Sequence, residues 1–241
     1  MSRSDDRSGK GGAYDRITGI GVAAHELKSP LVLLRQLSLE LADDQLSDNE
    51  RQRIIEQMTH ISEKAIRLTS DLTRAESQTA LFELEPINPL DVARDVRYEL
   101  SSLYKAHGRK LNVTRINNLP PVIANRDLLR RILLNFADNA LHYGDVNGAV
   151  ELQAQLLNER SCVRISVRDF GPHMPLSHWR KLTTTLEQGQ PVHARPQSSG
   201  LGLYIAHGFA QRMNGNIGAI RHQDGASFYV ELPVSHQLSL L

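Results

Sequence analysis

The sequence contains a single cysteine, Cys162, in 241 residues, so no internal disulfide framework can form and the composition suits a reducing compartment. Neither sign of charge is in excess: 28 Lys and Arg against 27 Asp and Glu leave a formal net charge of +1. A balance so near neutral gives no electrostatic case for nucleic acid as a partner. No run of about 18 or more apolar residues occurs, so no segment of this sequence is expected to span a membrane. The opening MSRSDDRSGKGG lacks an apolar stretch behind its basic residues and reads as a flexible lead-in over residues 1–14, not as a secretory signal. A GxxxxGK[ST] phosphate loop is missing, and so is any internal repeat. What is present is ordinary for a globular protein of one or two domains: 40% apolar and 23% charged residues.

The first positive signal is helical. Ile17, Ile20, Ala24, Leu27, Leu31 and Leu34 follow one another in steps of three and four, the a/d seam of a heptad. The turn-forming LADDQLSDNE follows, and a second seam runs through Ile54, Met58, Ile61, Ala65, Leu68, Leu72 and Ala75. Two such helices joined by a short turn predict an antiparallel hairpin over 15–83. Each helix then buries only one stripe, and pairing with a second copy into a four-helix bundle is the economical solution. The prolines of ELEPINP mark a boundary near residue 84. Beyond it the pattern predicts a helix from Pro89 to about His107 and a strand over Lys110–Ile116. A helix over Arg126–Tyr143 and strands at Ala149–Leu156 and Cys162–Asp169 come next. An irregular stretch spans Gly171–Ser199 apart from a short helix near Leu176–Leu182. A helix over Leu201–Met213 and strands at Asn216–His222 and Ala226–Leu232 close the pattern. The expected class is α+β, a dimerising helical hairpin followed by an α/β sandwich over 84–236.

Four motifs carry chemistry. In AHELKSPL, Ala24, Leu27 and Leu31 occupy the seam, so His25 and Glu26 project away from the bundle centre. Glu26 can accept the imidazole's other proton and keep the nucleophilic nitrogen's lone pair free. Ser29 shares the His25 face one turn later and can orient a water, while Pro30 should kink the helix. An ordinary surface histidine is the competing reading; a zinc protease is excluded, because Ser29 stands where HExxH needs its second histidine. In LLRRILLNFADNALHYG, Asn135 and Asn139 lie four apart on one helix face, as two oxygen donors to one magnesium ion would need. In VRDFGPHMP a strand ends at Asp169, whose carboxylate can accept a hydrogen bond from an adenine amine. Its DFG triplet lacks every companion motif of protein kinases, so that match is coincidental. In SSGLGLYIA, Gly200 and Gly202, beside Leu201 and Leu203, lead into an apolar helix where backbone N–H groups can meet a phosphate.

In this order the motifs resemble the transmitter region of sensor histidine kinases of two-component systems. His25 falls in the H box, Asn135 and Asn139 in the N box, Asp169 and Gly171 in the G1 box, and Gly200 and Gly202 in the G2 box; GASFYVELP is similar to the closing strand of the family's ATPase fold. The resemblance covers roughly residues 15–234. It implies a GHKL-type (Bergerat) ATP-binding domain with a lid at about 171–199, and ATP and Mg2+ as substrate and cofactor. It implies a homodimer, and a response regulator's receiver domain as partner. The implied roles are His25 as nucleophile, Glu26 as its base or orienter, Ser29 as water-positioner, Asn135 and Asn139 on magnesium and phosphate, and Asp169 on adenine. His142, Tyr143, Gly171, Gly200, Leu201, Gly202 and Leu203 would border the nucleotide. The implied location is cytoplasmic, as a soluble protein or as the cytoplasmic part of a membrane-anchored sensor.

The sequence departs from the family pattern at three points. His173 replaces a G1 glycine, His142 replaces the N-box lysine, and the aromatic F box is not evident, with only Trp179 available. These changes keep two alternatives to an active, or bifunctional, kinase open: a phosphatase-dominant regulator, and a degenerate nucleotide-binding scaffold. Cys162 reads as a small buried hydrophobe, and His60, His107, His207 and His222 have no metal-ligand spacing.

Overall fold

The computed structural model describes residues 27–28, 30–43, 46–76, 83–114, 119–143, 148–157, 161–171, 174–187 and 201–235. His25, Glu26, Ser29, His173 and Gly200 lie outside these residues, and His142, Tyr143 and Leu201 are described for their backbone alone. The chain divides into two compact units, 1–77 and 78–241.

In the first unit, helix α1 covers 30–41 and α2 runs over Asp48–Glu76. Ser47 and Glu50 form a reciprocal cap at the start of α2: the Ser47 amide donates to Glu50 Oε2 at 2.9 Å, and the Glu50 amide donates to Ser47 Oγ at 3.4 Å. The bonds to the carboxylate hold the Glu50 pKa below its ordinary value. Arg51 donates back to the Leu41 and Asp43 carbonyls, satisfying acceptors left free where α1 ends. Leu37 is buried, but Leu31 is 60% and Leu39 62% exposed on α1, and Ile66 is 69% exposed on α2. The seam position Leu31 is therefore uncovered within a single chain.

The second unit is a sheet layered on helices. Strands β2 (Lys110–Val113), β4 (Ala149–Leu157), β5 (Cys162–Arg168), β7 (Gly225–Pro233) and β6 (Asn216–His222) stand side by side in that order. β2 pairs with β4 in parallel, and every other pair is antiparallel. Alternation along the strands sorts the faces. Val150, Leu152, Val163, Ile165, Val230 and Leu232 are buried, while Glu151, Arg164, Tyr229 and Glu231 between them stay partly exposed. On that outer face Arg164 stacks 4.0 Å from the Tyr229 ring centre and holds Glu231 at 2.5 Å.

Helices α3 (Pro89–Ala106), α4 (Arg126–Tyr143) and α6 (Leu201–Arg212) supply the facing layer. Pro89 opens α3 behind the Asn88 cap, which accepts from the Leu90 amide at 3.0 Å. Asn125 caps α4 in the same way, through the Leu128 amide. Leu128, Leu129, Ile132, Leu133, Phe136 and Ala137 of α4 are all fully buried, and Phe136 meets Phe228 of β7 at 6.0 Å between ring centres.

Two features differ from the expectation. A two-stranded antiparallel ribbon, β1 (Glu85–Ile87) with β3 (Val122–Ala124), stands where proline-rich boundaries were read. Among the described residues β1 pairs only with β3, so its other edge is open and Pro86 costs no essential ladder bond. Helix α5 spans Leu176–Glu187, well beyond the short helix expected and into the stretch read as irregular. Leu182 and Leu186 bury one turn apart, and Thr183 and Thr185 bond back to the carbonyls of Trp179 and Lys181. That burial offsets the poor helix propensity of the threonine run, whose hydroxyls are satisfied by the helix's own carbonyls.

Replacing Phe136 by alanine removes a fully buried ring from the contact between α4 and β7. We expect a loss of about 3–5 kcal/mol in denaturant unfolding of the second unit. A loss below about 1 kcal/mol would show that α4 does not organise this core.

Candidate nucleotide site

The site begins with α4. Its buried stripe turns Asn135 and Asn139 to a flank where both are only half-buried. Gly202, on the first turn of α6, packs against that flank: a Cβ built on it would lie 3.5 Å from Asn135 Oδ1. That separation is ordinary van der Waals contact, so the start of α6 lies directly beside the Asn135 amide. The Asn135 Nδ2 atom is buried and has no hydrogen-bond partner. An orphaned buried amide costs about 1–3 kcal/mol, so its retention points to a ligand that completes it. Leu203 is buried on the same turn of α6, and that helix begins at Leu201 with its free N–H groups at this end.

The second anchor is Asp169, just past the end of β5 and 8% exposed. Its position is fixed from the far end of the chain by the turn between β6 and β7. The Ala226 amide donates to Asp169 Oδ1 at 2.8 Å, and the Asp169 amide donates to the Ala226 carbonyl at 2.9 Å. The Gly171 amide donates to the Asp224 carbonyl at 3.2 Å. Gly225 has φ +134°, and a Cβ there would overlap the Asp169 carbonyl oxygen. Arg168, nearly buried, donates to the Asp169 carbonyl, reaches Asp224 at 2.5 Å and lies over the Phe170 ring at 4.5 Å. Its hydrogen bond holds the Asp224 carboxyl below the usual carboxylate range. Nearby, His222 Nε2 meets Ser227 Oγ at 2.9 Å, and burial followed by the Arg168 charge lowers the imidazole pKa.

Of the residues singled out from sequence, the structure joins Asn135 with Gly202, and it places Asp169 and Gly171 together against one hairpin turn. Arg168, Asp224, Gly225 and Ala226, which support Asp169, were not foreseen. The Asp-Gly pair of HQDGAS was a legible hairpin-turn signal; that this turn lands on Asp169 depends on β7 lying next to β5, which no local pattern encodes.

A metal centre built by protein groups alone is not present among the described residues, where no three His, Cys, Asp or Glu side chains converge. An amide pair at one end of an apolar helix instead suits a hard cation that keeps waters and arrives with phosphates. The donor set thus fits magnesium carried by a nucleotide. No described helix is long and apolar enough to cross a membrane.

Comparison with known proteins bears on the same region. Residues 124–236 match the family of histidine kinase-, DNA gyrase B- and HSP90-like ATPases. The adaptive-response sensory kinase SasA of Synechocystis is 29% identical over 229 residues, covering 89% of this chain and 58% of that protein. The chain thus spans little more than half the length of the curated relatives it matches. In fold it is similar to full-length ShkA in complex with AMPPNP, at a TM-score of 0.60 and 24% identity, covering 90% of this chain and 46% of that one. It is also similar to histidine kinase ThkA in complex with response regulator protein TrrA, at a TM-score of 0.62 and 20% identity, covering 93% and 62%.

Two glycines with positive φ separate backbone strain from crowding at the Asp169 anchor. Gly225 is packed against Asp169, whereas Gly108, at φ +66°, has nothing within 4 Å of the point a Cβ would occupy. Alanine at Gly108 should cost about 1 kcal/mol from the left-handed backbone alone. Alanine at Gly225 should cost at least about 2 kcal/mol more in equilibrium unfolding, as strain and overlap combine. Equal losses would mean that the turn yields and does not pin Asp169.

Proposed function

The chain belongs to the sensor histidine kinases with a GHKL-type ATP-binding domain, and from that premise we propose that it phosphorylates its own His25 with ATP and passes the phosphoryl group to an aspartate of a response regulator. The observation that carries the proposal is the unpartnered Asn135 amide, pressed against the glycine that opens α6. It is the feature of the larger unit that a bound nucleotide would complete.

In this reading Asp169 accepts a hydrogen bond from the adenine amine. Its Oδ1 is already held by the Ala226 amide, so the carboxylate is oriented before the base arrives. Asn135 and Asn139 would supply amide oxygens to Mg2+, and the unfilled Asn135 Nδ2 a donor to the phosphates; the ion, when bound, would neutralise phosphate charge. Gly171, Gly200, Leu201, Gly202 and Leu203 border the nucleotide, with His142 and Tyr143 at the end of α4. The His25 imidazole attacks the γ-phosphorus in line; the N–P bond forms as the bond to the β-phosphate oxygen breaks, and ADP departs. Glu26 takes the imidazole proton. The phosphoryl group of the phosphoramidate is then transferred to the partner's aspartate, and Ser29 would orient a water that hydrolyses that phosphoaspartate in the opposing, phosphatase, activity.

The dimer belongs to the same proposal. Leu31 and Leu39 of α1 and Ile66 of α2 are apolar, helical and exposed in one chain. At about 25 cal/mol per Å2 of apolar surface, covering such stripes with a second copy is a sufficient drive for a four-helix bundle. The proposed organisation is 15–83 for dimerisation and phosphotransfer, and 84–236 for catalysis with a lid at about 171–199. A phosphatase-dominant regulator is the second reading, favoured by His142 and His173 standing where the family pattern has lysine and glycine.

The test is incubation with γ-labelled ATP and magnesium beside His25→Gln and Asn139→Ala. We expect acid-labile, alkali-stable label on the wild-type chain and none on either variant. Nucleotide binding without label would contradict the kinase and favour the phosphatase; label that survives His25→Gln would displace the nucleophile.

A further inference from the structure

The end of α4 is gripped by a buried arginine that none of the nucleotide motifs includes. Arg109 precedes β2 and is 5% exposed. Its Nη1 donates to the Ala140 carbonyl at 2.8 Å and the Leu141 carbonyl at 2.9 Å, and its Nε donates to the Gly148 carbonyl at 3.2 Å. The first two carbonyls belong to the last turn of α4, where no helical N–H remains to satisfy them. The third immediately precedes β4, on the other side of residues 144–147. One guanidinium therefore ties together the helix end and the strand start. One turn earlier the buried Tyr104 hydroxyl donates to the Ala137 carbonyl at 2.7 Å. Burial pushes the Tyr104 pKa upward, so this hydroxyl remains a donor throughout the physiological range.

Stability alone does not explain an arginine at this place. Its Nη2 is buried with no hydrogen-bond partner, and every acceptor it does hold is a backbone carbonyl. Charge at a helix C-terminus is favourable, yet burying a guanidinium with an unfilled donor is costly, and an apolar side chain of similar volume is often as stabilising. What the planar fork adds is geometry: fixed directions to two successive carbonyls and to a third across the gap. The turn so fixed follows directly on Asn139.

We infer that Arg109 is a positioning residue for the nucleotide site, setting the last turn of α4 so that the Asn139 side chain meets the bound ion and the phosphates in register. The inference rests on the reading of α4 as a nucleotide-binding helix. Arg109 touches no substrate; it acts through Asn139. Lysine at this position keeps the charge and the long stem but can direct its donors to fewer carbonyls at once. It should therefore preserve the fold and loosen the turn.

The experiment measures ATP binding in the presence of magnesium by calorimetry, well below the unfolding midpoint. The proteins are wild type, Arg109→Lys, Asn139→Ala, the double variant, and Ile87→Ala as a core variant that lowers the midpoint from the β1–β3 ribbon, which leads into the first residue of α4 and not its last turn. Arg109→Lys should weaken binding about tenfold, whereas Ile87→Ala should leave affinity unchanged. The double variant should bind no more weakly than Asn139→Ala alone, because the arginine's effect is routed through that side chain. Backbone amides of 140–143 should exchange faster in Arg109→Lys than in wild type. Wild-type affinity in Arg109→Lys, or fully additive losses in the double variant, would overturn the inference while leaving the nucleotide reading intact. Absence of ATP binding by the wild type would overturn that reading first.

Discussion

Helix α4 works under two opposed demands, and the larger unit is arranged around their reconciliation. One side must be apolar enough to anchor the helix layer, and it is: six side chains between Leu128 and Ala137 are removed from solvent entirely. In the proposed reading the adjoining flank presents the Asn135 and Asn139 amides, and the Asn135 Nδ2 has no protein partner. Helical period settles the conflict, because Asn135 and Asn139 recur one turn apart and slightly off the buried stripe. The neighbouring α6 brings a glycine to that flank, and the result is a half-buried amide with an unfilled donor.

The second constraint is long-range. Asp169 follows the last residue of β5, and a carboxylate at a strand end would ordinarily sample many orientations. It is held by a turn 57 residues later in the chain, with the Ala226 amide on its Oδ1 and the crowded Gly225 beneath its carbonyl. The antiparallel pairing of β5 with β7 puts that turn there. Sheet register thus decides the direction of the Asp169 carboxylate, and a shift of one residue would move it to the other face.

Much of this was legible in the chain itself. The helix ending at Tyr143 and the alternation of β4 and β5 are local signals, and these elements are in place with small differences at their ends. The Asn pair and the G1 aspartate were recognisable because their chemistry demands those residue types at those spacings. The ribbon of β1 and β3 was not legible, since Pro86 argues against a strand unless one knows that the strand has a free edge. Neither was the length of α5, whose threonines look irregular until Leu182 and Leu186 find a core to enter. Arg109 gave no signal either: an arginine before a strand is commonplace, and its meaning comes from the helix end that happens to lie within its reach. His25, Glu26, Ser29 and Gly200 lie outside the described residues, so their roles rest on motif order and on family membership.

Everything proposed for the larger unit turns on a nucleotide lying between the Asn flank of α4 and the carboxylate of Asp169. A crystal structure of the chain with a non-hydrolysable ATP analogue and magnesium would decide it. We expect the adenine amine on Asp169, the phosphates at the start of α6, and the ion within reach of the Asn135 and Asn139 amides. A nucleotide bound elsewhere, with Asp169 and the Asn135 amide still facing no ligand, would contradict it.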